Sequence, residues 1–168
     1  MMIKVLGIGS PFGDDRVGFE VVQQLQKNKK LRSFISTRLS VEQYDRPGIN
    51  LLNLLQGAEK IYIVDAVKTN AKPGIIHRFQ DHQIESHYTN TISSHSIGIA
   101  DAISLGRVLK LLPQTVIVYG VEIDNIDYSF ESSMIIKEAV SLLSNLLTEE
   151  LLAIFSDGEA LSTGSRST

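Results

Sequence analysis

The sequence predicts an α/β protein: a three-layer αβα sandwich with a mostly parallel central sheet and helices on both faces. Three observations point there. Short apolar, β-branched runs at 2–8, 61–64 and 115–121 read as strands buried on both faces. Segments with apolar residues at helical spacing alternate with these runs. There is no internal repeat or composition break, and strand-helix alternation of this kind favours parallel pairing through right-handed crossovers. One domain over 1–155 is expected, followed by a Ser/Gly-rich disordered tail over 156–168.

Residues 2–8 stop at a glycine and form the first predicted strand. Val17, Val21, Val22 and Leu25 recur on one helical face, and the polar run 27–30 closes it, which predicts a helix over 14–27. Residues 34–41 alternate as a second strand, and Pro47-Gly48 before Leu51, Leu52 and Leu55 opens a second helix. The run 61–64 is a third strand that closes on Asp65, and residues 74–79 form a fourth. A polar stretch over 81–90 leads to a helix bearing Ile97, Ala100, Ile103 and Val108, capped by Ser93 or Ser94 and stopped by Pro113. Residues 115–121 supply another buried strand. An amphipathic helix over 132–154 carries Ile135, Ile136, Val140, Leu143 and Leu147.

Composition narrows the function. The chain has 168 residues, 43% of them hydrophobic, which suffices for one core of ordinary size. A formal net charge of −3 offers no broad basic face, so no nucleic acid is expected as partner. Cysteine is absent, which excludes disulfides, thiolate metal sites and a Cys nucleophile and leaves metal chemistry to carboxylates and imidazoles. Apolar runs fall far short of the ~20 residues of a membrane-spanning helix, and the first residues read as a strand instead of a secretory signal. A soluble cytoplasmic protein without membrane contact is expected.

In open sheets of this class the ligand crevice lies outside the carboxyl ends of the strands, so the residues after Ile8, Val64 and Val121 are the first candidates. The glycine loop 7–13 resembles a dinucleotide fingerprint only at first sight. Its third glycine comes one position late, Pro11 removes an amide donor, and Asp14-Asp15 set two negative charges where phosphates would sit. In that acidic pair one residue can cap a helix while the other faces the crevice. Asp65 follows a stretch buried on both faces and needs a hydrogen-bonding loop, a cation or solvent to receive it; a structural role is the competing reading. His77, His82 and His87 read as surface or edge histidines. His95 stands at the first turn of a helix, where the dipole disfavours imidazolium and keeps a nitrogen lone pair free. Asp15, Asp65 and His95 all leave the same sheet edge, a trio that suits a borderline divalent ion such as nickel or zinc. Arg16 reads as a solvated side chain, with a pairing to Asp14 or a contact with an acidic part of a partner as the alternatives.

Three segments carry a family resemblance: Gly7-Ile8-Gly9-Ser10-Pro11-Phe12-Gly13-Asp14-Asp15-Arg16-Val17-Gly18, Ile63-Val64-Asp65-Ala66, and Ser94-His95-Ser96-Ile97-Gly98. In order and separation they resemble the hydrogenase maturation proteases, the endopeptidases that process the large subunit of nickel–iron hydrogenases. The resemblance covers about residues 2–151. It implies that Asp15, Asp65 and His95 contact metal, that the nickel arrives with the large-subunit precursor, and that a C-terminal extension is then removed. Cadmium or zinc could stand in for nickel there. Gln43 to Gly48 falls where the family has a glycine-containing loop near the cleavage site, so Asp45, Arg46 and Gly48 are expected to touch substrate. A monomer is expected.

For the bond cleavage itself, no Gly-x-Ser-x-Gly elbow and no His-Glu-x-x-His helix is present, so acid or metal chemistry is left. Asp15 or Asp65 is expected as general base on a water, with the nickel either polarising the carbonyl or serving only for docking. Two alternatives stay open at this point: a non-catalytic metal- or peptide-binding module, and a peptidyl-tRNA-hydrolase-like esterase of related fold.

Overall fold

The computed structural model describes residues 1–80, 82–88, 96–124 and 129–163. Five strands, β1 (Ile3–Gly9), β2 (Leu39–Asp45), β3 (Lys60–Val67), β4 (Ile76–Gln80) and β5 (Thr115–Glu122), form one sheet in the order β2-β1-β3-β5-β4. All neighbours pair in parallel except β4, which closes one edge antiparallel to β5. The expected mostly parallel sheet is therefore present.

Strand side chains alternate between two cores, as the pleat requires. Ile3, Val5, Tyr62, Val64, Ile117 and Tyr119 face α1 (Val17–Lys27) and α5 (Met134–Thr163), which present Val21, Val22, Leu25, Val140, Leu143 and Leu147. Leu6, Ile8, Ile61, Ile63 and Val118 face the other side. There the cover consists of α2 (Leu51–Leu54), α3 (His82–Tyr88) and α4 (Ser96–Val108), through Leu51, Ile84, Ile99 and Ile103.

Several elements differ from the sequence expectation. The second strand begins at Leu39 and not at residue 34. Residues 34–38 turn, with the Arg38 and Leu39 amides both donating to the Phe34 carbonyl at 2.9 Å and Ser36 at φ 69°. Phe34 serves the core instead, stacked on Phe155 with centroids 4.3 Å apart. The third strand runs past Asp65 to Val67, because Asp65, Ala66 and Val67 pair with Gly120, Val121 and Glu122. The polar stretch after β4 contains α3, whose Ile84 is fully buried and whose Glu85 pairs with Arg107 of α4 at 3.1 Å.

The helix start expected at Asp14 is a separate 3-10 turn, Gly13–Arg16, before α1. Ser93 and Ser94, the expected caps of α4, lie outside the described residues. The last helix continues to Thr163, into the segment expected as a tail, and the Ser156 hydroxyl returns to the Leu152 carbonyl at 2.9 Å. By length and composition its stretch 134–157 could cross a membrane, which the sequence reading had not anticipated. In the fold 44% of the apolar window is buried and its stripe lies on the sheet.

Candidate functional site

The chain leaves β1 toward β2 on one side and returns to β3 on the other, so a topological switch point lies between β1 and β3. Here α1 comes unusually close to the sheet. A Cβ on Gly7 would lie 2.1 Å from the Gly18 carbonyl oxygen, and one on Gly18 would lie 2.3 Å from the Ile8 oxygen and 2.7 Å from that of Val64. Only glycine permits this approach. The 3-10 turn Gly13–Arg16, which leads into α1, lies against β3.

Asp15 is 1% exposed and Asp65 is 0% exposed. The Asp15 main chain folds back on the end of β1, accepting from the Ser10 amide at 3.3 Å. Asp65 sits within β3 on the face covered by α4, opposite Gly120. Taking a carboxylate out of water costs several kcal/mol, so two of them at one sheet edge are an expense for the fold.

Asp14, the neighbour of Asp15, has a different task. Its carboxylate accepts from the Ser133 amide at 2.6 Å and the Ser133 hydroxyl at 3.1 Å, just before α5. It therefore caps a distant helix and not its own. The same lead-in clamps the turn twice more, through Gly13 N–H to the Ser129 carbonyl at 2.8 Å and through Phe12 against Phe130. Arg16 is half-buried, and its partners among the described residues are Glu20 and Pro11, not Asp14. Its guanidinium donates to Glu20 at 3.4 Å and to the Pro11 carbonyl at 3.2 Å, and Glu20 in turn accepts from Ser132.

Asp45, Arg46 and Gly48 reach the same edge. Asp45 pairs with Gly9, and the Arg46 amide donates to the Gly9 carbonyl at 3.2 Å. The Arg46 guanidinium bonds Asp45 at 2.6 Å. That hydrogen bond first, and the charge of Asp45 with it, hold Arg46 more firmly protonated than usual, and Asp15 adds attraction. Gly48, at φ 55°, lies under α4: a Cβ on Gly98 would stand 3.0 Å from its Cα.

His95 lies outside the described residues, which resume at Ser96 where α4 begins. Among the described residues no group of three His, Asp or Glu side chains could hold a metal ion, so two members of the expected trio are placed and the third is not.

Beside Asp65 the sequence pointed to the position after Val121 without giving it a partner. Glu122 there is fully buried and accepts from the Thr69 amide at 2.6 Å, the Thr69 hydroxyl at 2.7 Å and His77 Nε2 at 3.0 Å. His77 is an edge-strand residue, as expected, yet it is tied to this carboxylate. Only the antiparallel pairing of β4, which sets His77 opposite Gly120, brings the two together.

Fold and site thus define an α/β protein that gathers buried carboxylates at the carboxyl edge of its sheet, around a switch point. A family model described as hydrogenase maturation protease matches residues 19–150. The chain belongs to the hydrogenase maturation protease family, a family of peptidases. It is 28% identical over 156 residues to the hydrogenase 2 maturation protease of Escherichia coli strain K12, covering 91% of this chain and 90% of that protein. Its fold is similar to that of the E. coli hydrogenase maturating endopeptidase HybD, with TM-score 0.74 at 23% identity over 94% of each chain. It is also similar to HybD from Thermococcus kodakarensis, with TM-score 0.70 at 23% identity over 90% of this chain and 99% of that one. The matched family segment includes Asp65 and position 95 but begins after Asp15. Membership sets aside the peptidyl-tRNA-hydrolase reading.

Proposed function

We propose that this protein is an endopeptidase that removes the C-terminal extension of a nickel–iron hydrogenase large-subunit precursor after nickel has been installed. The observation that carries this reading is the burial of Asp15 and Asp65 at one sheet edge, beside the exposed loop Asp45–Gly48. Asp15, Asp65 and His95 would meet the nickel that the precursor brings, because oxygen and imidazole donors suit a borderline divalent ion. Three such ligands without a thiolate favour transient contact over a permanent structural ion.

For the cleavage, one of the two carboxylates takes a proton from a water as that water adds to the scissile carbonyl, and hands the proton to the leaving amine nitrogen as the C–N bond breaks. The other remains charged beside the incoming metal. Asp45, Arg46 and Gly48 line the approach, where Arg46 offers a guanidinium to carbonyl or carboxylate groups of the precursor. The reading places the reaction in the cytoplasm, on a monomer.

The test combines purified protein with nickel-loaded and nickel-free precursor from the same organism. Mass loss from the nickel-loaded form alone is expected, and Asp15→Asn should slow it by on the order of 10²–10⁴. Full processing by Asp15→Asn would remove that residue from the chemistry. Binding of nickel-loaded precursor without any mass loss would instead favour the non-catalytic module.

A further inference from the structure

β2 is an edge strand, and its peptide groups are not all used. The Ile3 amide donates to the Arg38 carbonyl at 2.9 Å and the Arg46 amide donates to the Gly9 carbonyl at 3.2 Å. In a parallel pair these two bonds fix the alternation: even-numbered residues of β2 turn their N–H and C=O toward β1, odd-numbered ones toward the outside. Leu39 has both outward groups satisfied internally, its N–H by Phe34 and its C=O by Ser36, each at 2.9 Å. The Val41 carbonyl accepts the Gln26 side chain at 2.8 Å. Beyond Val41 this cover stops. Gln43 and Asp45 are exposed, and among the described residues nothing bonds their outward main-chain groups.

An edge of this sort normally carries a bulge, a proline or a covering segment that prevents another chain from pairing with it. Here the protection ends where the strand meets the candidate site. Asp45 lies next to Gly9, and Arg46 feels the charge of Asp15. Beside the first half of the strand, a groove of about 510 Å³ lined by Gln26, Ile35, Ser36, Leu39 and Val41 continues the same line.

We infer that the open edge of β2 at Gln43 and Asp45 is a docking strand for the extended precursor segment that flanks the scissile bond. The inference rests on the endopeptidase reading above. The occupant follows from two features. The free groups are main-chain donors and acceptors at strand spacing, which an extended peptide complements whatever its side chains. The edge also runs directly into the carboxylates that the cut bond must reach. Pairing there holds the segment straight and delivers the next peptide bond past Asp45 and Arg46 toward Asp15 and Asp65.

Gln43→Pro tests this without touching the fold's own ladder, since the N–H it deletes points outward and an edge strand tolerates proline there. With nickel-loaded precursor from the same organism, KM is expected to rise about tenfold, the loss of one or two backbone hydrogen bonds, with kcat little changed. Hydrogen exchange supplies a readout independent of cleavage: the Gln43 and Asp45 amides of the wild-type protein should become protected when precursor is added. If the variant fails to fold, that protection alone decides.

Unchanged KM together with unprotected amides overturns edge docking while the wild-type enzyme still cleaves, so the endopeptidase reading survives. Wild-type protein that protects these amides without cutting loses the endopeptidase reading and keeps the docking strand. Protection that appears without precursor and grows with protein concentration, with a dimer in solution, identifies a second copy on the edge and overturns the proposal.

Discussion

On one face of the sheet α1 and α5 lie along the strands and meet them through Val21, Val22, Leu25, Val140, Leu143 and Leu147, all buried. On that side the Tyr62 and Tyr119 hydroxyls both donate to Glu150, at 2.7 and 3.0 Å, and the buried Thr148 hydroxyl returns to the Ser144 carbonyl at 2.8 Å. On the other face no helix is as long as α5, and two fully buried carboxylates, Asp65 and Glu122, stand among Ile63, Val67 and Val118. The same sheet thus carries a continuous apolar core on one side and a core interrupted by charge on the other. Stability that α5 supplies lets the α4 face hold groups that a core chosen for stability alone would replace by apolar ones.

The sharpest way to break this comparison is to exchange the expected outcomes of one residue from each face. Asp65→Asn keeps the shape of the side chain and removes its charge. Processing of nickel-loaded precursor should fall by on the order of 10²–10⁴, followed by mass spectrometry of the precursor, while the protein still melts cooperatively. Leu143→Ala, on the buried face of α5, should cost about 2–5 kcal/mol of stability. Each kcal/mol lowers Tm by roughly 2–4 °C at this chain length. Well below the new Tm its processing rate should stay near that of wild type. If Leu143→Ala abolished processing at such a temperature, the two faces would not be separate in function.

Much of the fold could be read from the residues. The runs 2–8, 61–64 and 115–121 are apolar on both faces because they occupy the three central strands, and no local signal competes with that one. The edge strands were harder. Residues 34–41 alternate, but Phe34 is spent on Phe155 and the chain turns until Leu39, a tertiary preference that no local pattern carries. α3 was missed because, among its described side chains, a single buried residue, Ile84, and the ion pair of Glu85 to α4 make no stripe. At the site, the sequence singles out Asp15 and Asp65 by their place after glycine loop and strand, and both are buried there. The pairing of Glu122 with His77 was not, since it depends on β4 turning antiparallel.

The acidic pair gives a smaller contrast inside one turn. Asp14 and Asp15 are adjacent and chemically alike, yet Asp14 is spent on the amide and hydroxyl of Ser133 while Asp15 is buried. Asp14→Ala should therefore cost about 0.5–2 kcal/mol, the range for a lost helix cap, measured by denaturant unfolding. Its processing rate should change far less than that of Asp15→Asn. Equal losses from both variants would mean that the clamp on the turn, and not the buried carboxylate, is what the reaction needs.

The smallest expected effect lies on β2. Hydrogen bonds from Ser40 first and then Tyr44 hold the Glu42 carboxyl below its usual range, with attraction from Lys4 added, and the same contact pushes Tyr44 up to about 12. Because Glu42 gives up its proton more readily in the folded chain, the unfolded chain takes one up first as pH falls. Its contribution is present above the unfolded pKa and is lost as pH falls below it through the lowered folded value. Tyr44 runs the opposite way, contributing below its unfolded pKa and losing that contribution as pH rises through about 12. Glu42 is half-buried on an edge strand, where solvent still screens it and limits its share to below about 0.5 kcal/mol. Glu42→Gln should flatten the acid limb of a Tm-against-pH curve by that small amount and leave the neutral region in place. A variant with an unchanged acid limb would show that the Ser40 and Tyr44 contacts shape the strand without contributing to its stability.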